Sequence, residues 1–361
     1  MPRVLMLFNK PRAGLIAASG AGQCPDELLY GMKTLGERGW QVEVSDAGFA
    51  DFPGGRILKG LDDFLSRGGR RTGFHVKQAW RLRREIEKAD VVFATADSSG
   101  LPVLALKALG LVHTPVLYAS IGLAETFGDP AGLVYALYRL CLQKAERILT
   151  YSVAETEELS RKFGLERERV HFVPFGVETN FFQHESIAGK GRPLAFGLDH
   201  RRDWPTFFAA AAGAPANFEL LANPDVLRGL AAPRNVMLLP PEPIEALRRR
   251  LLAAPFVVLP VRENGYSGGT ISLLQSMAAG KAAIVSRTQA IADGYGLVDG
   301  ENCLLTPPGD VPAMARAISR LLGDPALVVR LGESAAAHVR VGYDIDRLDG
   351  DLDRLLREAM P

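Results

Sequence analysis

Cysteine is scarce. The chain of 361 residues has three, Cys24, Cys141 and Cys303, odd in number and far apart. They build neither a disulfide framework nor a metal cluster, so three reduced buried thiols in a reducing compartment are expected. Net charge is almost absent: 42 Lys and Arg against 41 Asp and Glu leave +1, and no global field recruits nucleic acid. Histidine is thin as well, six in all. No two are spaced as metal ligands beside a carboxylate or cysteine, so no metal is expected; His113 and His200 sit near predicted strand ends. No long apolar run exists. The most apolar stretch, 101–124, is interrupted by Lys107, His113 and Pro115, and reads as a helix then a strand rather than a membrane span. The apolar run near the N-terminus is a strand's length and meets Asn9, Lys10 and Pro11, too short for a secretory signal. A cytoplasmic location is expected. No Gly-x-Ser-x-Gly elbow supports a hydrolase triad.

What is present is alternation. Short apolar runs at 4–8, 42–44, 91–94, 116–119 and 148–151 predict strands, and amphipathic stretches at 26–38, 76–88, 101–109 and 154–163 predict helices. The rhythm breaks at 183–193, QHESIAGKGRP, polar and Gly-rich, the predicted linker. It then resumes, with strands at 194–198, 218–222, 236–239, 256–260, 282–286 and 303–305. Helices are predicted at 205–212, 244–253, 272–279, 311–322 and 344–360. Such alternation predicts α/β architecture, two doubly wound parallel sheets with ligands beyond the carboxyl ends of the strands and a cleft between domains as the default site. The expected domains are 1–182 and 194–343, with 344–361 a terminal helix that crosses back onto the first.

The segment 259–287, LPVRENGYSGGTISLLQSMAAGKAAIVSR, carries the strongest chemistry. A strand ends in a loop, and Gly268, Gly269 and Thr270 open a helix. Glycines there let the backbone approach a bulky anion, and the free amides and helix dipole then face it. A plain N-capped junction is the competing reading. In the first half, Gly14, Gly20 and Gly22 lie in a predicted loop, 9–23. Gly20-Ala21-Gly22 hints at a dinucleotide fingerprint, but its third position falls on Pro25 and the spacing from the strand is too long, so a nicotinamide cofactor is rejected. No cofactor is expected.

Three stretches in the second half resemble one family. Leu273–Lys281, LLQSMAAGK, is similar to the L-L-E-A-M-A-x-G-K helix of the retaining glycosyltransferases of family four. Val298–Asp310, VDGENCLLTPPGD, resembles that family's D-G-x-N-G-L-L-V-P-P-G-D, and Val173–Glu178, VPFGVE, its V-x-N-G-V-D turn. They occur in the family's order. The resemblance implies a GT-B fold, two Rossmann-like domains facing across a cleft, and transfer of a sugar from a nucleotide-diphosphate donor with retention and without metal. It assigns the diphosphate to Gly268, Gly269 and Thr270, with Arg201 and Arg202 in the loop after the first strand of the second domain. It assigns the ribose to position 275 and the nucleobase to the neighbourhood of Pro240 and Glu242, and it makes Gly14, Gly20 and Gly22 the cleft loop. Asp203 is expected either to orient an arginine or to cap the next helix.

The chain departs from the family at two positions. The family has glutamates where this sequence has Ser267 and Gln275. Glu263 is the nearest carboxylate. A non-catalytic nucleotide-sugar-binding or partner protein of the same fold is therefore the alternative reading, and an epimerase or phosphorylase of that fold a second. Ser267, Arg201 and Arg202 stand as the catalytic candidates. The acceptor is a sugar, a lipid-linked sugar or a small molecule.

Residues 67–84 hold Arg67, Arg70, Arg71, Lys77, Arg81, Arg83 and Arg84 with no acid, interleaved with Phe74, Val76 and Trp80. Two readings stay open: a peripheral contact with anionic lipid at the inner membrane face, or a solvated helix face with Trp80 in the core.

Overall fold

The computed structural model describes residues 1–50, 75–127, 132–183 and 189–361. The chain forms two compact units. The first is Met1–Gly22, Leu28–Val173 and Leu348–Pro361; the second is Gln23–Glu27 and Pro174–Arg347.

The first unit holds a parallel sheet of β1 (Arg3–Leu7), β2 (Gln41–Val44), β3 (Val91–Ala94), β4 (Val116–Ser120), β5 (Arg147–Thr150) and β6 (Val170–Phe172), in the order β2-β1-β3-β4-β5-β6. Strands β3 and β4 are buried at every residue, as helices on both faces of a parallel sheet require. β6 was not expected, because three residues carry no readable pattern.

Two expectations for the first half of the chain fail locally. Residues 26–38 do not form one helix: a 3₁₀ turn, Asp26–Leu29, is followed by a break at Tyr30 and Gly31 and by the helix Met32–Glu37. Gly31 has φ +71°, and a Cβ there would lie 1.6 Å from Asp349 Oδ1. Nor is 9–23 all loop, because Ala13–Gly20 is a helix that contains Gly14 and Gly20. The backbone amides of Arg12 and Ala13 donate to the Asp46 carboxylate at 2.9–3.0 Å, placing an anion at that helix's N-terminus. Gly22 follows with φ +70°.

The last helix, Ile345–Ala359, joins the first unit from Leu348 on. Leu348, Leu352, Leu355 and Leu356 recur at helical spacing and are all buried. Trp40 Nε1 donates to Asp353 Oδ1 at 2.6 Å.

The second unit holds β7 (Leu194–Gly197), β8 (Phe218–Ala222), β9 (Val236–Leu239), β10 (Phe256–Leu259), β11 (Ala282–Ser286) and β12 (Leu304–Thr306), all parallel, in the order β12-β11-β10-β7-β8-β9. Counted from β7, this is 6-5-4-1-2-3, the doubly wound order with its reversal between β7 and β10. Trp204, Phe207, Phe218, Ile284, Ile318 and Leu331 fill its core. Helix Pro325–Gly342 was not expected; Asp324 caps it by accepting Leu327 N at 2.9 Å.

The chain passes from the first unit to the second at Val173–Pro174, ahead of the 183–193 stretch expected to be the linker. Residues 174–182 are bound into the second unit by specific contacts. Phe175 N donates to the Tyr295 hydroxyl at 3.1 Å, Val177 pairs with Asp344, and Phe182 is buried. Residues 184–188 lie outside the described residues.

Candidate functional site

The two loops at the sheet reversal are stitched together. Arg202 and Val261 form a β-bridge, Asp203 N donates to Pro260 O at 3.1 Å, and Arg262 N donates to Arg201 O at 2.8 Å. The loop after β7 is thereby fixed against the loop after β10, beyond the carboxyl ends of both strands. That is the crevice where open α/β sheets bind ligands.

Arg202 is 3% exposed. Its Nε donates to Asp199 Oδ2 at 3.0 Å and one terminal nitrogen donates to Ser272 Oγ at 2.8 Å. The other terminal nitrogen, Nη1, is buried and has no hydrogen-bond partner. It points at Gly269, where a Cβ would lie 3.5 Å from it. Two glycines make room for this arrangement. A Cβ at Gly197 would meet Arg202 Nε at 2.1 Å. One at Gly269 (φ +87°) would meet Val261 Cγ2 at 2.8 Å.

Gly269 is the N-cap of the helix Thr270–Ala278. Thr270 N donates to Ser267 O at 3.2 Å, while the amides of Ile271 and Ser272 find no backbone acceptor among the described residues. Free amides, the positive helix end and an uncommitted guanidinium donor thus converge on one point. Asn264 adds a second unsatisfied group. It is buried, its Nδ2 donates to Arg262 O at 2.8 Å, and its Oδ1 has no partner and lies 3.1 Å from where a Gly268 Cβ would be. Buried polar groups are nearly always paired, so such orphans mark strain or a missing ligand.

Of the residues singled out in the sequence, Arg202, Gly268, Gly269 and the start of the helix come together here. Arg201 is half-buried, with its guanidinium 5.5 Å from the centre of the Tyr266 ring. Thr270 is fully buried and its hydroxyl has no hydrogen-bond partner among the described residues, while burial pushes the ionisation of Tyr295 well upward. Asp203 caps the helix Trp204–Ala212 through Thr206, leaving Asp199 to orient Arg202.

Ser267 is half-buried and contributes its carbonyl to the turn. Glu263 is spent on backbone amides: Oε1 accepts Asn264 N at 3.1 Å and Gln289 N at 2.8 Å. Gln275 is 3% exposed and donates Nε2 to Glu27 Oε1 at 3.1 Å. Burial pushes the Glu27 carboxyl up to about 7. Glu242 is also committed. Arg250 forks onto it with two bonds of 2.7 Å and reaches Glu219 at 3.0 Å, beside a cavity of about 300 Å³. The guanidinium holds Glu242 below the usual carboxylate range. Pro240 precedes it in the turn after the edge strand β9. Gly14, Gly20 and Gly22 belong to the first unit.

Asp199, Asn264, Ser272 and Glu27 were missed by sequence reasoning. Asp199 and Ser272 lie inside segments already singled out, but only the fold shows that both hold Arg202. Among the described residues, no group of three His, Cys, Asp or Glu could hold a metal ion, and no helix is long and apolar enough to cross a membrane. Cys24, Cys141 and Cys303 are buried, and none of them forms a disulfide among the described residues.

Both halves of the chain match known protein families. Residues 31–181 match the model of Glycosyltransferase Family 4, and residues 210–324 that of Glycosyl transferases group 1. The chain is 27% identical over 226 residues to a D-inositol 3-phosphate glycosyltransferase of Acidothermus cellulolyticus, covering 54% of this chain and 49% of that protein. It is 26% identical over 319 residues to an alpha-D-kanosaminyltransferase of Streptomyces kanamyceticus, covering 77% and 79%. The match spans about half the length of the first of these relatives. Among solved structures, Anabaena HepE in complex with UDP superposes with a TM-score of 0.67 at 14% identity, over 99% of this chain and 100% of that one. WaaG, a glycosyltransferase of lipopolysaccharide biosynthesis, gives 0.64 at 14%, over 98% and 99%.

Proposed function

The chain belongs to the group 1 glycosyltransferases and has the two Rossmann-like domains of the GT-B fold, and on that premise we propose that it transfers a sugar from a nucleotide-diphosphate donor to a sugar, lipid-linked or small-molecule acceptor. The observation that carries this reading is the buried, unpartnered Nη1 of Arg202 beside Gly269 at the sheet reversal. A diphosphate placed there would accept from Arg202 and from the first amides of the helix Thr270–Ala278, with Arg201 as a second cation. Charge develops on the departing diphosphate as the sugar leaves, so donors aimed at it lower the barrier more than they tighten substrate binding. Retention of configuration is part of this reading, as the resemblance to the family implies. The acceptor hydroxyl would attack on the face the diphosphate leaves, and the leaving oxygen would help take its proton. The scheme requires no metal. Nucleoside diphosphate release from a panel of sugar donors tests it, with UDP-sugars first because HepE is complexed with UDP. Turnover supports the reading; silence across the panel sinks it.

A second reading draws on one specific observation. Ser267 supplies no carboxylate, and Glu263, the nearest one, is held by Asn264 and Gln289 amides. A nucleotide-sugar-binding protein without turnover would look like this. We propose also that the enzyme works in the cytoplasm, docked on anionic lipid through 67–84. In the described part of that stretch, the helix Val76–Ile86, the Arg83 guanidinium lies 4.5 Å from the centre of the Trp80 ring and Arg81 Nε donates to Ala47 O at 2.8 Å. Arg67, Arg70, Arg71 and Phe74 lie outside the described residues.

A further inference from the structure

Glu27 and Gln275 are 248 positions apart, yet they form a buried pair within the second unit. Glu27 Oε1 accepts Gln275 Nε2 at 3.1 Å, and Oε2 accepts Glu178 N at 3.0 Å. The Glu178 carboxylate in turn accepts Asp26 N at 2.9 Å. The small segment Gln23–Glu27 is thus tied to the rest of the second unit by a reciprocal pair of charge-assisted bonds.

The chemistry of this pair is directional. An ionised carboxylate only accepts hydrogen bonds, whereas a glutamine amide offers an NH₂ on one side and a carbonyl on the other. Glu27 therefore fixes the Gln275 amide with its NH₂ turned to the carboxylate and its carbonyl oxygen turned away. Helical side chains lean toward the N-terminus of their helix, and residues three apart share a face. Ser272, three residues before Gln275, is the residue that Arg202 holds. Gln275 thus stands on the face that carries the Arg202 site.

We infer that Glu27 is a positioning residue for the nucleotide: it holds Gln275 so that an uncharged side chain presents an acceptor oxygen to a ribose hydroxyl. This rests on the donor-site reading above. It accounts for how the site keeps an acceptor at a position where the family has a carboxylate. The charge has moved to Glu27, and Gln275 relays only the hydrogen-bond polarity.

The groups facing Glu27 make the arrangement pH-dependent. Glu178 adds a second negative charge, its amide and Gln275 donate, and burial dominates, so Glu27 takes up a proton near pH 7. Once protonated, Glu27 becomes a donor. Its O–H can then bond to the Gln275 carbonyl, and the amide is free to turn its NH₂ toward the ligand.

The test is calorimetry with UDP, GDP and ADP, then with the 2′,3′-dideoxy form of whichever binds tightest, between pH 6 and 8.5. At pH 8.5 the wild type should prefer the hydroxyl-bearing nucleotide by about tenfold, one hydrogen bond's worth. In Glu27→Gln one acceptor oxygen faces two donors, Gln275 is no longer held one way, and the preference should fall to about twofold or less, with affinity for the dideoxy form unchanged. The exchange Glu27→Gln with Gln275→Glu should restore it. The wild-type preference should decline as pH drops through 7, and that of Glu27→Gln should be flat. A Glu27→Gln protein that keeps both the wild-type preference and its pH profile overturns the proposal while the donor site stands. A wild type that binds none of the three nucleotides overturns the donor reading and this proposal with it.

Discussion

Arg202 donates to Ser272 Oγ at 2.8 Å, joining the loop after β7 to the first turn of the helix after β10. With Asp199 on its Nε, two of the three guanidinium nitrogens are committed, and the third faces Gly269. A fork is needed for this, and a point charge will not substitute. Arg202→Ala should weaken nucleoside diphosphate binding by about 1.5–3 kcal/mol, the scale of a charge-assisted bond. Arg202→Lys should recover less than half of it, and Ser272→Ala should cost about 1 kcal/mol. Calorimetry on the three variants checks this; full rescue by lysine would contradict the geometry.

Glycine is required at 197 and 269 for different reasons. Gly197→Ala places a methyl 2.1 Å from Arg202 Nε, so the guanidinium must leave its seat. Gly269→Ala forces an L-residue to φ +87° and sets a methyl 2.8 Å from Val261 Cγ2. Each should lower stability by about 1–3 kcal/mol. Gly197→Ala should also reduce nucleotide affinity to the level of Arg202→Ala. Denaturant melts beside binding curves separate the two effects.

The first unit carries its own titration. Beyond β3, β4 and β5, Asp97 accepts from the Tyr118 hydroxyl. Glu155 Oε1 accepts Ser120 Oγ and Gly122 N, both at 2.7 Å, while its Oε2 is buried without a partner. Burial raises Asp97 to about 6 and, aided by the Asp97 charge, Glu155 to about 8. A raised carboxyl means that the folded state binds more protons than the unfolded one. Stability should therefore fall as pH rises from about 4.5 through 8. Glu155→Gln should remove roughly 2–4 kcal/mol of that fall. Urea unfolding at pH 6 and pH 9 measures it; equal slopes in both proteins would show that Glu155 is not the cause.

The lipid contact is tested by sedimentation with anionic vesicles. Replacing Arg70, Arg71, Arg83 and Arg84 with Ser should reduce binding and leave nucleotide affinity intact. Salt should weaken wild-type binding, because surface charges are screened over about 10 Å at 0.1 M. A wild type that ignores the vesicles leaves 67–84 as a solvated face.

Turnover separates the enzyme from a binding protein. The wild type is expected to release nucleoside diphosphate, because in the proposed reading Arg202 and the helix start would serve the leaving group, where charge develops. Gln275→Glu sets a second carboxylate against Glu27 and is expected to slow it by about tenfold, a cost near 1.4 kcal/mol for burying like charges. Activity that appears only in Ser267→Glu would favour the binding protein.

The sequence by itself determined the periodicity, and with it the two parallel sheets, eleven of the twelve strands among the described residues and the helix start at 268–270, because strand and helix periods and a Gly-Gly helix start are local properties. It also brought Arg201 and Arg202 into consideration. Only the tertiary structure decided how Arg202 is held, since that depends on Ser272 arriving from the helix after β10. It broke 26–38 at Gly31, where Asp349 comes close, and made a helix of 13–20 around Asp46. It paired the Glu263 side chain with backbone amides and that of Glu242 with Arg250, and it brought Glu27 to Gln275 across 248 residues. Local pattern follows from the residues within a few positions of each other. Hydrogen-bond polarity and ionisation follow from what the fold packs against them, and no spacing along the chain encodes that.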